Sequence, residues 1–170
     1  MTLPKIFAAA LAALAVLPSV AQERIILLNE GNWQADNGRV SYFENGTMVS
    51  NQWFREKNGY KLGDTPNDII QVNDNLIAMA INWSNIVQFI RPDGTAVAAT
   101  EDVPNNRKLA SDGGRYVYIS SYGHECKVND RMEEFTRGYV AKIDVTTFKE
   151  GRSYPIKVTL TDPIAPTPTP

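Results

Sequence analysis

The pair Asn32-Trp33 recurs downstream as Asn82-Trp83, and Ser121-Tyr122 follows with His124 close behind. An indole beside an amide offers a flat apolar surface with a hydrogen-bonding group at its edge. That combination suits a large, flat, partly polar ligand. Asn32, Trp33, Asn82, Trp83, Tyr122 and His124 are therefore candidate binding residues. Trp53 joins them from a segment that also holds Phe54 and Tyr60. The same rings serve equally well as packing between neighbouring structural units, because aromatics are common core fillers.

Other chemistries are poorly supplied. His124-Glu125-Cys126 contains the only His and the only Cys of the chain. Two such ligands fall short of the roughly four that a structural zinc site needs, so the triplet reads as polar residues in a long loop. A Ser-His-Asp arrangement would have to use the same His124, and no Ser sits on a recognisable nucleophile turn. Asp64, Asp68, Asp93 and Asp112 stand in turn-like sequence, where a carboxylate caps local backbone N–H groups rather than moving protons. The chain reads as non-enzymatic, with no catalytic residue, no metal and no resident cofactor expected.

The candidate residues are placed by a repeat. Residues 67–72, 76–81, 86–90 and 95–100 read as four short strands joined by hairpin-length turns. Residues 116–119 take the slot of 76–79, and 139–143 take that of 86–90, with 144–147 as the following turn. Upstream, 25–28 and 40–43 fill the same two slots, with Asn45-Gly46-Thr47 as the turn. About three units of ~40 residues, each with four strands, is the signature of β-propeller blades. A plain antiparallel sandwich with similar hairpins is the competing architecture. In a blade the strands run a to d outward from the axis, and the b–c loops share one end of the disc. Residues 30–38, 82–85 and 121–137 are then the three b–c loops, and each carries an aromatic beside a small polar residue.

Thr65-Pro66-Asn67-Asp68-Ile69 with Pro92-Asp93-Gly94, and Gly114-Arg115-Tyr116-Val117-Tyr118-Ile119-Ser120 with the segment 139–148, resemble the YncE-like, or YVTN, family of extracytoplasmic β-propellers. Residues 28–33, 62–68 and 135–144 are similar to its Bacteroidetes branch. Some members of that branch capture vitamin B12 at the cell surface and pass it to an outer-membrane transporter. The resemblance covers roughly residues 25–148. It implies an all-β fold of about three four-stranded antiparallel blades in an incomplete ring, a corrinoid ligand, and a transporter as partner. Two other functions occur on related propellers, protein–protein scaffolding and sugar-lactone hydrolysis. For the second, His124 with Glu125 is the only candidate cluster. The B12-capturing members usually carry a lipid-anchor Cys, which this chain lacks.

The chain has 170 residues and a formal net charge of −2, with no basic stripe to favour nucleic acid. Residues 1–21 have a Lys, an Ala/Leu run and a small-residue site ending at Ala21, the pattern of a secretory signal peptide. Its apolar run, 6–17, is shorter than the roughly 20 residues a membrane span requires. No later stretch could cross a bilayer. Export to the periplasm or outer cell surface is the expected location. Residues 22–160 are expected to form the partial propeller domain. The Pro/Thr-rich 161–170 is expected to be a disordered tail. Residues 131–135 are expected to form one helical turn. The blade pattern is expected to stop after Phe148, which would make the chain a fragment or a unit that assembles with its own copies.

Overall fold

The computed structural model describes residues 22–129, 132–135 and 138–155. The expected signal peptide (1–21) and tail (161–170) lie outside the described residues.

Three antiparallel sheets follow one another along the chain. The first has strand order β1-β2-β3, from β1 (Arg24–Asn29), β2 (Arg39–Glu44) and β3 (Thr47–Ser50). A short helix, α1 (Trp53–Asn58), then leads to the second sheet. This is a simple meander of β4 (Pro66–Asn73), β5 (Leu76–Ile81), β6 (Ile86–Ile90) and β7 (Ala96–Ala99). β8 (Asn106–Ser111) and β9 (Tyr116–Ser121) begin the third. A separate hairpin of β10 (Glu125–Asn129) and β11 (Met132–Phe135) intervenes. β12 (Tyr139–Asp144) and β13 (Lys149–Pro155) then complete the order β13-β12-β9-β8.

The turns have the local chemistry such hairpins need. Asn45 and Gly46 both have positive φ (49° and 76°), as a two-residue loop between twisted strands requires. In the β6–β7 turn, Asp93 Oδ1 accepts the N–H of Thr95 at 2.9 Å, and this bond lowers the Asp93 pKa. Gly94 there has φ 88°, and a Cβ on it would sit 2.9 Å from the Trp53 indole.

Burial explains the order of the sheets. β5 is buried at all six positions, because the second sheet lies between the other two. Ile77, Met79 and Ile81 join Val40, Tyr42 and Leu62 in the core shared with the first sheet. Leu76, Ala78 and Ala80 join Val117, Ile119, Ala141 and Ile143 in the core shared with the third. The period-two alternation of a strand thus feeds two cores at once. Each large side chain so buried contributes about 1.5–3 kcal/mol.

The strands expected at 76–81 and 86–90 fall at those residues, and the others match to within a few. Two expectations are corrected. Lys149–Pro155 does continue the pattern, pairing with β12 as the outer strand of the third sheet. Met132–Phe135 is a strand and not a helical turn, because it finds β10 as an antiparallel partner. The segment that holds Trp53, Phe54 and Tyr60 folds in part as α1, whose Trp53 and Phe54 are buried. The result is an all-β stack of three sheets whose number and strand order are compatible with consecutive propeller blades. The described residues do not close a ring. No helix among them is long and apolar enough to cross a membrane.

Candidate functional site

The β1–β2, β5–β6 and β9–β12 connections are the three loops expected to share one end of the stack, and contacts tie them together. The Trp33 and Trp83 rings meet edge to face, with centroids 5.3 Å apart and planes at 77°. Trp33 is 63% exposed, so most of its ring faces solvent. Beside Trp83 lies a cleft of about 140 Å³, lined also by Asn85, Pro104, Asn105 and His124. His124 is exposed, and its Nε2 lies 3.5 Å from Asp102 Oδ2. Tyr122 is 49% exposed and carries the Arg107 guanidinium over its ring at 5.0 Å. Trp33, Trp83 and His124 therefore belong to one surface, and Tyr122 adjoins it through its N–H, which donates to the Asn105 carbonyl at 3.3 Å.

A set of amides beneath holds this surface in shape. Asn82 Nδ2 donates to the Asn106 carbonyl at 2.8 Å. Asn106 is fully buried, and its Nδ2 faces the carbonyls of Ile81, Ile86 and Val103 at 3.0–3.2 Å. Asn85 Oδ1 accepts the Asn105 N–H at 3.1 Å, and Asn105 Nδ2 donates to the Gly123 carbonyl at 2.8 Å. Ser121 Oγ closes the row by donating to the Pro104 carbonyl. Buried amides need such partners, and here their partners are the loop backbones themselves. At the first loop the support is steric. A Cβ on Gly38 would lie 2.6 Å from the Gly63 carbonyl oxygen, and Gly38 N–H donates to that oxygen at 3.1 Å.

The expected site residues divide accordingly. Asn32 is exposed in the first loop, where its N–H donates to Asn37 Oδ1 at 2.8 Å. Asn82 is buried, and its amide serves the Asn106 carbonyl rather than an outside ligand. Trp53 stands apart. It is 5% exposed, stacked on Tyr42 at 4.5 Å, and lies against Gly94 in the turn at the opposite end of the second sheet from Trp83. Its role is packing, which the residue type alone could not distinguish from binding. Phe54 is also buried, with Tyr60 edge-on to it at 5.3 Å.

Asp102, Arg107, Asn85 and Asn105 also line or support the surface, and no motif pointed to them. One signal for two of them was their place before a strand or turn, since Asn85 and Asn105 have φ 57° and 46°, a conformation Asn tolerates well. A second cleft, of about 260 Å³, lies between the first loop and the segment following β3. It is lined by Asp36, Arg55, Phe54 and Lys61 among others, and Lys61 Nζ is 2.8 Å from Asp36 Oδ2 across it.

Asp93 and Asp112 cap local backbone as expected, whereas Asp68 lies within β4 and reaches across to the third sheet, and Asp64 bonds a neighbouring hydroxyl. Asp64 Oδ1 accepts from Thr65 Oγ1 at 2.8 Å, and Asp68 Oδ2 accepts the Leu109 N–H at 2.8 Å. Backbone N–H groups of Tyr116 and Gly114 hold the Asp112 pKa below the ordinary carboxylate value, as Thr95 does for Asp93. Among the described residues no three His, Cys, Asp or Glu side chains are grouped to hold a metal ion.

No protein-family model matches the chain, and no curated protein matches it.

Proposed function

We propose that this protein is an exported, non-enzymatic binding protein of propeller type, whose loop surface captures a large, flat, partly polar ligand. The class of ligand proposed is a corrinoid, taken up at the cell surface and passed to an outer-membrane transporter. The observation that carries the binding role is the exposed Trp33 ring set against Trp83, beside a polar cleft that reaches His124. Exposed aromatic rings held by a rigid frame give contact area at little entropy cost. The corrinoid identity rests on the sequence resemblance alone.

Equilibrium dialysis of the full chain against cobalamin tests this. The Trp33→Ala, Trp83→Ala double variant should lose at least tenfold in affinity, while Trp53→Phe should bind as the parent does. Equal binding by the double variant would sink the loop-surface reading. Lactone hydrolysis predicts instead that His124→Ala is the damaging change.

A further inference from the structure

Among the described residues, the second and third sheets have four strands and the first has three. The strand without a counterpart is the inner one. β4 lies beside β5 and β8 beside β9, but β1, which occupies the same place in the first sheet, has only β2 as a neighbour among the described residues. An open edge of this kind presents a row of backbone donors and acceptors to any extended chain.

The space beside that edge is shaped. A slot of about 310 Å³ runs between β1 and β4, walled by Ile26, Leu27 and Leu28 on one side and Asn67, Asp68 and Ile69 on the other. Within its wall, Asn67 has both Oδ1 and Nδ2 buried without a hydrogen-bond partner. Leaving both polar ends of one amide dry is unfavourable, and a turn of the Asn67 side chain toward the slot would let an incoming backbone satisfy a donor and an acceptor together. The slot also continues an interface the molecule already makes. β8 packs against β4 and β5, with the Leu109 N–H bonded to Asp68 Oδ2 at 2.8 Å. The slot is the next position in that row of inner strands. Ile69 pairs with Met79 as Leu109 pairs with Ile119, so Ile69 stands where Leu109 stands one sheet later.

We propose that the β1 edge and this slot form a binding site for an extended segment of a partner polypeptide, which adds to β1 as the fourth strand of the first sheet. The segment has the chemistry of β4: alternating apolar residues for the Ile26–Leu28 wall and a carboxylate near its start, placed toward Ile69 as Asp68 is toward Leu109. Backbone pairing provides affinity, and alternate side chains provide selectivity.

A fluorescently labelled, end-capped peptide with the sequence of residues 66–73 is the probe, titrated with the full chain and read by anisotropy. Saturable binding is expected, at least tenfold tighter than that of a scrambled peptide. Asn67→Ala should weaken it about fivefold, and Leu27→Asp by more than tenfold, with thermal unfolding followed by circular dichroism to show that each variant is folded. No saturation up to millimolar protein, equal binding of the scrambled peptide, or full affinity in folded Asn67→Ala would each overturn the proposal.

Discussion

Asn106 is the residue on which the loop surface most depends. It starts β8, is completely buried, and joins the second sheet's Trp83 loop to the third sheet. Its side-chain amide has two hydrogens, shared among three backbone carbonyls at 3.0–3.2 Å. Asn106→Leu keeps the volume but removes both donors. Two hydrogen bonds lost, with their acceptors left in a dry interior, cost about 2–4 kcal/mol. Asn106 Oδ1 is itself buried without a partner, so deleting it recovers about 1 kcal/mol. The net loss is then about 2 kcal/mol. For a urea dependence of about 1–3 kcal/mol per molar, the unfolding midpoint falls by about 1 M. Asn106→Asp should be worse, by at least a further ~2 kcal/mol, because it aims a carboxylate at three carbonyl oxygens. Urea unfolding followed by far-ultraviolet circular dichroism measures both. A Leu variant within about 0.5 kcal/mol of the parent, or an Asp variant no worse than the Leu variant, would refute the bridging role.

Gly94→Ala should lose at least about 2 kcal/mol, since φ is 88° and the new methyl would meet the Trp53 indole at 2.9 Å; Trp53→Phe in the same background should restore part of the loss, as read by thermal melts. Thr65, a β-branched residue at φ 54°, stands just before β4 where Asn105 stands before β8. Thr65→Asn should therefore raise stability by about 0.5–1 kcal/mol, and an unfolding midpoint that falls would contradict this. Arg115 Nη2 lies 2.6 Å from Asp144 Oδ2, and this guanidinium, helped by Thr146, holds the Asp144 pKa far below the usual carboxylate range. A carboxylate whose folded pKa is depressed contributes stability above its unfolded value near 4, and loses it as pH falls through the folded value. Arg115→Gln should thus be less stable than the parent at pH 7, with the difference shrinking below about pH 4, and its Asp144 should titrate higher by NMR.

The strands were legible because each carries a local signal. Leu76–Ile81 is a continuous apolar run between Asn-rich turns, as a strand buried on both faces must be. Asn45-Gly46 and Asp93-Gly94 announce their turns by residue type alone. β11 was not legible, because its short charged sequence has no strand periodicity and depends on β10 for its conformation. β13, with Gly151 and three charged residues, likewise owes its form to pairing with β12. At the site, Trp33, Trp83, Tyr122 and His124 could be grouped because their loops are equivalent in the repeat. Trp53 could not be set apart, since only the partner Tyr42 and the nearby Gly94 reveal its burial. Asn82 has the composition of a ligand-binding amide, and only the Asn106 carbonyl beneath it shows otherwise.

Gel filtration of the full chain with cobalamin, recorded at protein and corrin absorbance together, tests the proposed binding role most directly. A compact protein peak that carries the corrin colour is the expected result, with the colour lost in the Trp33→Ala, Trp83→Ala variant. A compact peak that elutes colourless at cobalamin concentrations well above micromolar would contradict corrinoid capture by this surface.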